Sequence, residues 1–95
     1  MEAIKIQIDE FDSARVERLF YLSNAKLSNV AFLMKDSDID KENLMAYIKE
    51  ADEVRVEMEL TRNAIAKKYL PKSLVGKGFN YEFLFDTNEI AYTEE

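Results

Sequence analysis

Cysteine, histidine and tryptophan are absent from this chain, and it holds only two glycines and one proline. Without cysteine there is no disulfide framework, no thiolate zinc site, no iron–sulfur cluster and no thiol nucleophile. Without histidine the side chain best suited to proton transfer near neutral pH is missing. Carboxylates, lysines and tyrosines remain, but no spacing groups them into a catalytic set. The chain is therefore read as non-enzymatic, with no catalytic residue, cofactor or metal to assign. Long apolar runs are also missing. None approaches the ~18 residues a membrane-spanning helix needs. The first ten residues, MEAIKIQIDE, carry acids where a secretion signal carries Lys and Arg. The expectation is a cytoplasmic protein of one domain, its 95 residues near the lower end of what supports a core without staples.

What is present centres on the stretch 40–70. Leu44, Tyr47, Ile48, Ala51, Val54, Met58, Ile65, Ala66 and Tyr69 recur at steps of three and four. At 100° per residue they fall in a stripe about 120° wide, which predicts one long amphipathic helix lying on a core. Met45, Val56, Leu60 and Leu70 form a second, narrower apolar set on another face. A helix with two apolar faces either lies between layers or offers one face to a partner.

Charge follows the same helix. The net charge is −6, with nine acids against three bases between 36 and 59 and five bases with no acid between 60 and 78. Acids early and bases late suit the helix macrodipole; the alternative reading is a charged docking surface. An acidic chain repels phosphates, so direct nucleic-acid binding is not expected. Arg55 and Arg62 sit at one edge of the stripe with Glu59 within reach of both, which predicts a local ion-pair ladder; the other reading aims the arginine pair at a partner.

Around this helix the chain reads simply. Ile4, Ile6 and Ile8 alternate with Lys5 and Gln7, predicting a half-buried strand over 3–8. Asp12 or Ser13 is a suitable cap for a helix over 13–35, marked by Val16, Leu19, Phe20, Leu27, Val30, Ala31 and Met34. Tyr21, Leu22, Phe32 and Leu33 lie off that stripe, so this helix is also apolar on more than one side. Ser23, Asn24, Ser28 and Asn29 favour a bend in its middle. Asp36, Ser37, Asp38, Ile39 and Asp40 open like a calcium loop. Lys41 replaces the required glycine and Tyr47 the closing glutamate, leaving a short polar connection that carries a helix cap and makes the two helices a hairpin.

Pro71 ends the long helix, and 72–78 reads as a basic linker. Phe79, Tyr81, Phe83 and Phe85 then alternate with Asn80, Glu82, Leu84 and Asp86, a strand with one aromatic face suited to packing on helices. Asp86, Thr87 and Asn88 supply turn chemistry, Ile90 and Tyr92 continue the alternation, and 93–95 forms a loose acidic end. The order β-α-α-β-β predicts an α+β fold of two layers, an antiparallel helix hairpin packed on a three-stranded sheet. The sequence leaves open which hairpin strand the first strand joins.

Leu44, Tyr47 and Ile48, then Ala66, Lys67, Lys68 and Tyr69, then the run from Tyr81 through Phe85, Asp86, Thr87, Asn88, Glu89 and Ile90 to Tyr92, resemble the small companion proteins of CXXX-repeat peptide modification systems. Those are cysteine-poor acidic proteins encoded beside a radical SAM maturase and a Cys-repeat precursor peptide. The resemblance covers about the last half of the chain. This sequence lacks the tryptophans of that family's late helix and first hairpin strand, and no catalytic residue carries over. The resemblance implies a non-catalytic accessory in ribosomal peptide modification that holds the maturase or its precursor. Asp52, Glu53, Val56, Glu57 and Leu60 are the expected contact, an apolar strip flanked by acids. Two other classes fit the composition: an acidic phage-type inhibitor that blocks a nucleic-acid enzyme, and a structural homodimer that closes the second apolar face.

Overall fold

The alternating isoleucines at the N-terminus and the aromatic row near the C-terminus meet in one antiparallel sheet. The computed structural model describes residues 2–36 and 38–95. Along the chain run β1 (Ile4–Gln7), α1 (Glu10–Leu33), α2 (Lys41–Lys68), a 3-10 turn (Lys72–Leu74), β2 (Phe79–Leu84) and β3 (Glu89–Glu94). The strand order is β1-β3-β2, both pairs antiparallel. The first strand thus joins the second strand of the hairpin, which settles the pairing the sequence left open. Ile6 lies opposite Ile90 and Ile4 opposite Tyr92, while Phe83 and Tyr81 take the same two partners from the other side. β3 is therefore flanked by apolar side chains along both edges, and Ile90 and Tyr92 are fully buried. Among the described residues no helix is long and apolar enough to cross a membrane.

Two compact units make up the chain: Met1–Glu17 with Thr61–Glu95, and Arg18–Leu60. The first holds the sheet, the opening turns of α1 and the closing turns of α2. Its core joins Ile8, Val16, Ile65, Ala66, Leu74, Ile90 and Tyr92, with Phe79, Tyr81, Phe83 and Phe85 packed against it. Neighbouring aromatic rings along β2 lie 6.0–6.3 Å apart, within the range where edge and offset contacts are favourable. The Tyr92 hydroxyl donates to the Ala66 carbonyl at 2.5 Å, tying the middle strand to α2.

Several local expectations are corrected. The cap of α1 is Asp9, whose Oδ1 accepts the Phe11 amide at 2.8 Å, so the helix starts three residues before the expected 13. Asp12 is drawn elsewhere: its Oδ2 accepts from Lys68 Nζ at 2.8 Å and from the Tyr69 hydroxyl at 2.7 Å. Lys68 first, and then Tyr69, hold the Asp12 carboxyl below the usual carboxylate range. Ser13 is buried rather than left at an exposed helix end. The 72–78 linker contains a 3-10 turn that delivers Leu74 into the core, and Gly76 takes the left-handed φ of +81° after it. Leu70, expected on the second face of the long helix, lies past its end and packs on the core.

The C-terminal end is not loose. Thr93 and Glu94 pair with Asn80 and Phe79, and the Glu95 amide donates to the Gly78 carbonyl at 3.0 Å. Acidic side chains do not disfavour a strand whose backbone amides find partners. Arg62 does not complete a ladder with Glu59; its guanidinium lies 5.5 Å over the Tyr81 ring, a cation–π contact at an exposed site, available only once β2 is in place.

α1 runs unbroken through Ser23, Asn24, Ser28 and Asn29. In the connection, Asp36 Oδ1 accepts the Asp38 amide at 3.0 Å and Asp40 Oδ1 accepts the Glu42 amide at 3.3 Å. Asp40 is thus the cap of α2, as its position predicts. Ser37 of the calcium-like run lies outside the described residues.

Candidate interaction surface on the helical unit

The unit Arg18–Leu60 is built from two helical stretches and almost no core. Within it only Leu19, Ser23 and Ala51 are buried among the described residues, and two of those three are small. Two helices side by side touch along one seam each, so apolar residues on any other side remain in water. The consequence is visible in the distribution of exposed apolar side chains. Of fourteen large hydrophobic residues exposed among the described ones, eleven belong to this unit. They include Tyr21, Phe32 and Met34 of α1 and its C-terminal turn, and Met45, Val56 and Leu60 of α2.

Val56 and Leu60 lie about 140° and 180° around α2 from the buried Ala51, on the side turned away from the seam. They are 39% and 66% exposed, so this strip is open, as its sequence predicts. Glu53 and Glu57 run along one margin of the strip and are exposed. Asp52 lies on the other margin and is not a free acid. Arg55 donates to Asp52 Oδ1 at 2.8 Å and to Glu59 Oε1 at 3.1 Å. The bond to Asp52, with Glu59 adding to it, holds the guanidinium more firmly protonated than usual. Of the five expected contact residues, Val56, Leu60, Glu53 and Glu57 therefore form one continuous outward patch, and Asp52 is engaged along the helix.

Elsewhere on this unit, Lys26 Nζ reaches Glu50 Oε2 at 3.7 Å and links the helices. Beside this pair is a cavity of about 70 Å³ lined by Lys26, Asn29, Val30, Tyr47 and Glu50. That is room for about two waters, well below the ~300 Å³ of a small-molecule site.

The α1 residues of this surface were not among the expected contacts. Their signal was nevertheless in the sequence: between 19 and 34 the only charged residue is Lys26. A helix that is apolar on all sides is ordinarily covered on all sides. Comparisons of the chain with protein-family models, curated proteins and solved structures return no match.

Proposed function

We propose that this chain is a non-catalytic binding protein that docks on a protein partner through the outer face of α2. The observation that supports it most is the concentration of exposed apolar side chains on Arg18–Leu60, a unit with almost no core of its own. Leaving such side chains in water costs roughly 25 cal/mol per Å², which docking recovers, and contiguous apolar surface rimmed by charge is the usual mark of an interaction site. Val56 and Leu60 would supply the apolar centre, and Glu53 and Glu57 the charged rim that orients a partner bearing bases.

The resemblance of the C-terminal half supports a more particular reading. The partner would be a radical SAM maturase or its Cys-repeat precursor peptide, and this chain an accessory in ribosomal peptide modification. A leader helix lying along Val56 and Leu60 would use the helix-in-groove mode of peptide recognition. Calorimetric titration of the chain with such a precursor peptide, and separately with its maturase, tests this at low and moderate salt. Saturable binding to either, weakened in Leu60→Asp, is the expected result. No binding to either, alongside salt-sensitive binding to a nucleic-acid enzyme, would replace the accessory reading with an acidic inhibitor.

A further inference from the structure

The sheet has two edges, β1 and β2, and they are built differently. In an antiparallel pair, residues that exchange backbone bonds with the neighbouring strand alternate with residues whose amide and carbonyl point away from it. The Ile8 amide donates to the Asn88 carbonyl and the Glu95 amide to the Gly78 carbonyl, which sets that alternation in both pairs. Asn80, Glu82 and Leu84 are therefore the residues of β2 bonded to β3, opposite Thr93, Ala91 and Glu89. The amides and carbonyls of Phe79, Tyr81 and Phe83 point outward from the sheet. On β1 the outward groups are those of Lys5 and Gln7.

The β1 edge is guarded. It is four residues long and carries Lys5, and short length and an edge lysine are usual means of keeping a strand from pairing further. β2 has neither. It runs six residues, FNYEFL, with no lysine, no proline and no break in its register against β3. Its inner face carries Phe79, Tyr81 and Phe83, each half-buried, beside a middle strand whose Ile90 and Tyr92 are completely buried. Among the described residues no strand pairs with this edge.

We propose that the β2 edge pairs antiparallel with the β2 edge of a second copy, across a two-fold axis at Tyr81. The result is one continuous sheet in the order β1-β3-β2-β2-β3-β1. This goes beyond the docking strip on α2 and does not depend on it. Closure selects a second copy as the occupant. A two-fold pairing uses the same edge of both chains. It therefore consumes both open edges and leaves only the two guarded β1 edges at the ends of the sheet. A foreign strand laid on β2 would present its own far edge instead.

Charge and strand length select the register. Bonded pairs must join outward-facing residues of both strands, which leaves Phe79, Tyr81 and Phe83 to be matched among themselves. Centring the axis on Glu82 would set that carboxylate directly against its own copy, a destabilising like-charge pair. Centring it on Asn80 would run Phe83 past the start of the facing strand. Centred on Tyr81, the register sets Asn80 against Glu82 of the second copy and Glu82 against its Asn80. An amide able to donate then meets a carboxylate on each side of the axis. The two Glu82 side chains become diagonal rather than opposite neighbours, about 7–8 Å apart. On the inner face Phe79 meets Phe83, Tyr81 meets Tyr81, and the half-buried rings gain aromatic neighbours.

Sedimentation equilibrium and amide hydrogen exchange of the intact chain, each across a dilution series, test the pairing. The expected mass is twice that of the chain, falling to the single value on dilution. In the single chain the Asn80 and Glu82 amides, bonded to β3, are expected to be protected and those of Tyr81 and Phe83 not; pairing protects all four. Asn80 is exposed, so substitutions there leave the inner face untouched. Asn80→Glu sets like charges opposite each other on both sides of the axis and is expected to raise the dissociation constant roughly tenfold. Adding Glu82→Lys turns these into opposite-charge pairs and is expected to restore the dimer. Three results would overturn the inference. They are a wild-type chain that stays at the single mass, a dimer whose Tyr81 and Phe83 amides exchange as in the single chain, and a dimer indifferent to Asn80→Glu. A monomer that still binds its partner would refute the pairing alone; a dimer whose Leu60→Asp variant binds the partner unchanged would refute the docking strip alone.

Discussion

Tyr92 carries the most consequential single contact in the sheet unit. Its ring is fully buried among β3's neighbours and its hydroxyl donates to the Ala66 carbonyl. Burial first, with Tyr81 and Tyr69 adding to it, pushes its pKa up to about 12 from an ordinary 10. A neutral acid with a raised folded-state pKa stabilises fully below its unfolded pKa and loses that stability as pH climbs from about 10 toward 12. Denaturant midpoints are therefore expected to stay level from neutral pH to just below 10 and then fall. Tyr92→Phe is expected to lose about 1–2 kcal/mol at neutral pH, because a buried carbonyl loses its donor, and to show a shallower alkaline fall. Equal alkaline slopes in both proteins would show that another group governs the transition. At this scale the sequence was only partly legible. The apolar alternation placed Tyr92 inward, but its partner lies 26 positions away, and nothing local pairs Asp12 with Lys68, 56 positions on.

At the scale of elements, both helices and all three strands were readable because periods of 3.6 and 2 leave little ambiguity over stretches this long. Their ends were not. Asp9, Asp12 and Ser13 can all cap a helix, and the choice of Asp9 depends on where β1 stops and on Tyr69, whose hydroxyl accepts the Asp9 amide at 3.1 Å. Asp9→Ala is expected to cost about 1 kcal/mol, the usual loss of an N-cap, lowering the thermal midpoint by roughly 4–8 °C for a domain of this size. An unchanged midpoint would return the cap to Asp12 or Ser13. Strand order was hidden for a comparable reason. β1 presents isoleucines on one face, and either hairpin strand offers apolar partners to them. Leu74 was missed because a single leucine in a basic loop has no period to mark it.

For the molecule as a whole, the division into two units separates stability from exposure. The sheet unit holds seven clustered buried core residues, and among its described residues the helical unit buries only Leu19, Ser23 and Ala51. Amides of Arg18–Leu60 are therefore expected to exchange with solvent faster than those of β3, since local opening there breaks few buried contacts. Protection of α1 and α2 equal to that of β3 at high dilution would contradict a coreless helical unit. The outward strip on α2 was legible in advance because Val56 and Leu60 stand off the main stripe. The second apolar side of α1 was legible from Tyr21, Leu22 and Phe32 standing off its main stripe, but that these side chains are exposed emerged only from the structure. Partner capture from native cells with wild-type chain and with the double variant Val56→Asp, Leu60→Asp, both checked for intact secondary structure, tests the docking surface most directly. The account predicts a protein or peptide retained by the wild type and lost from the variant. Identical retention by the two folded proteins would contradict it.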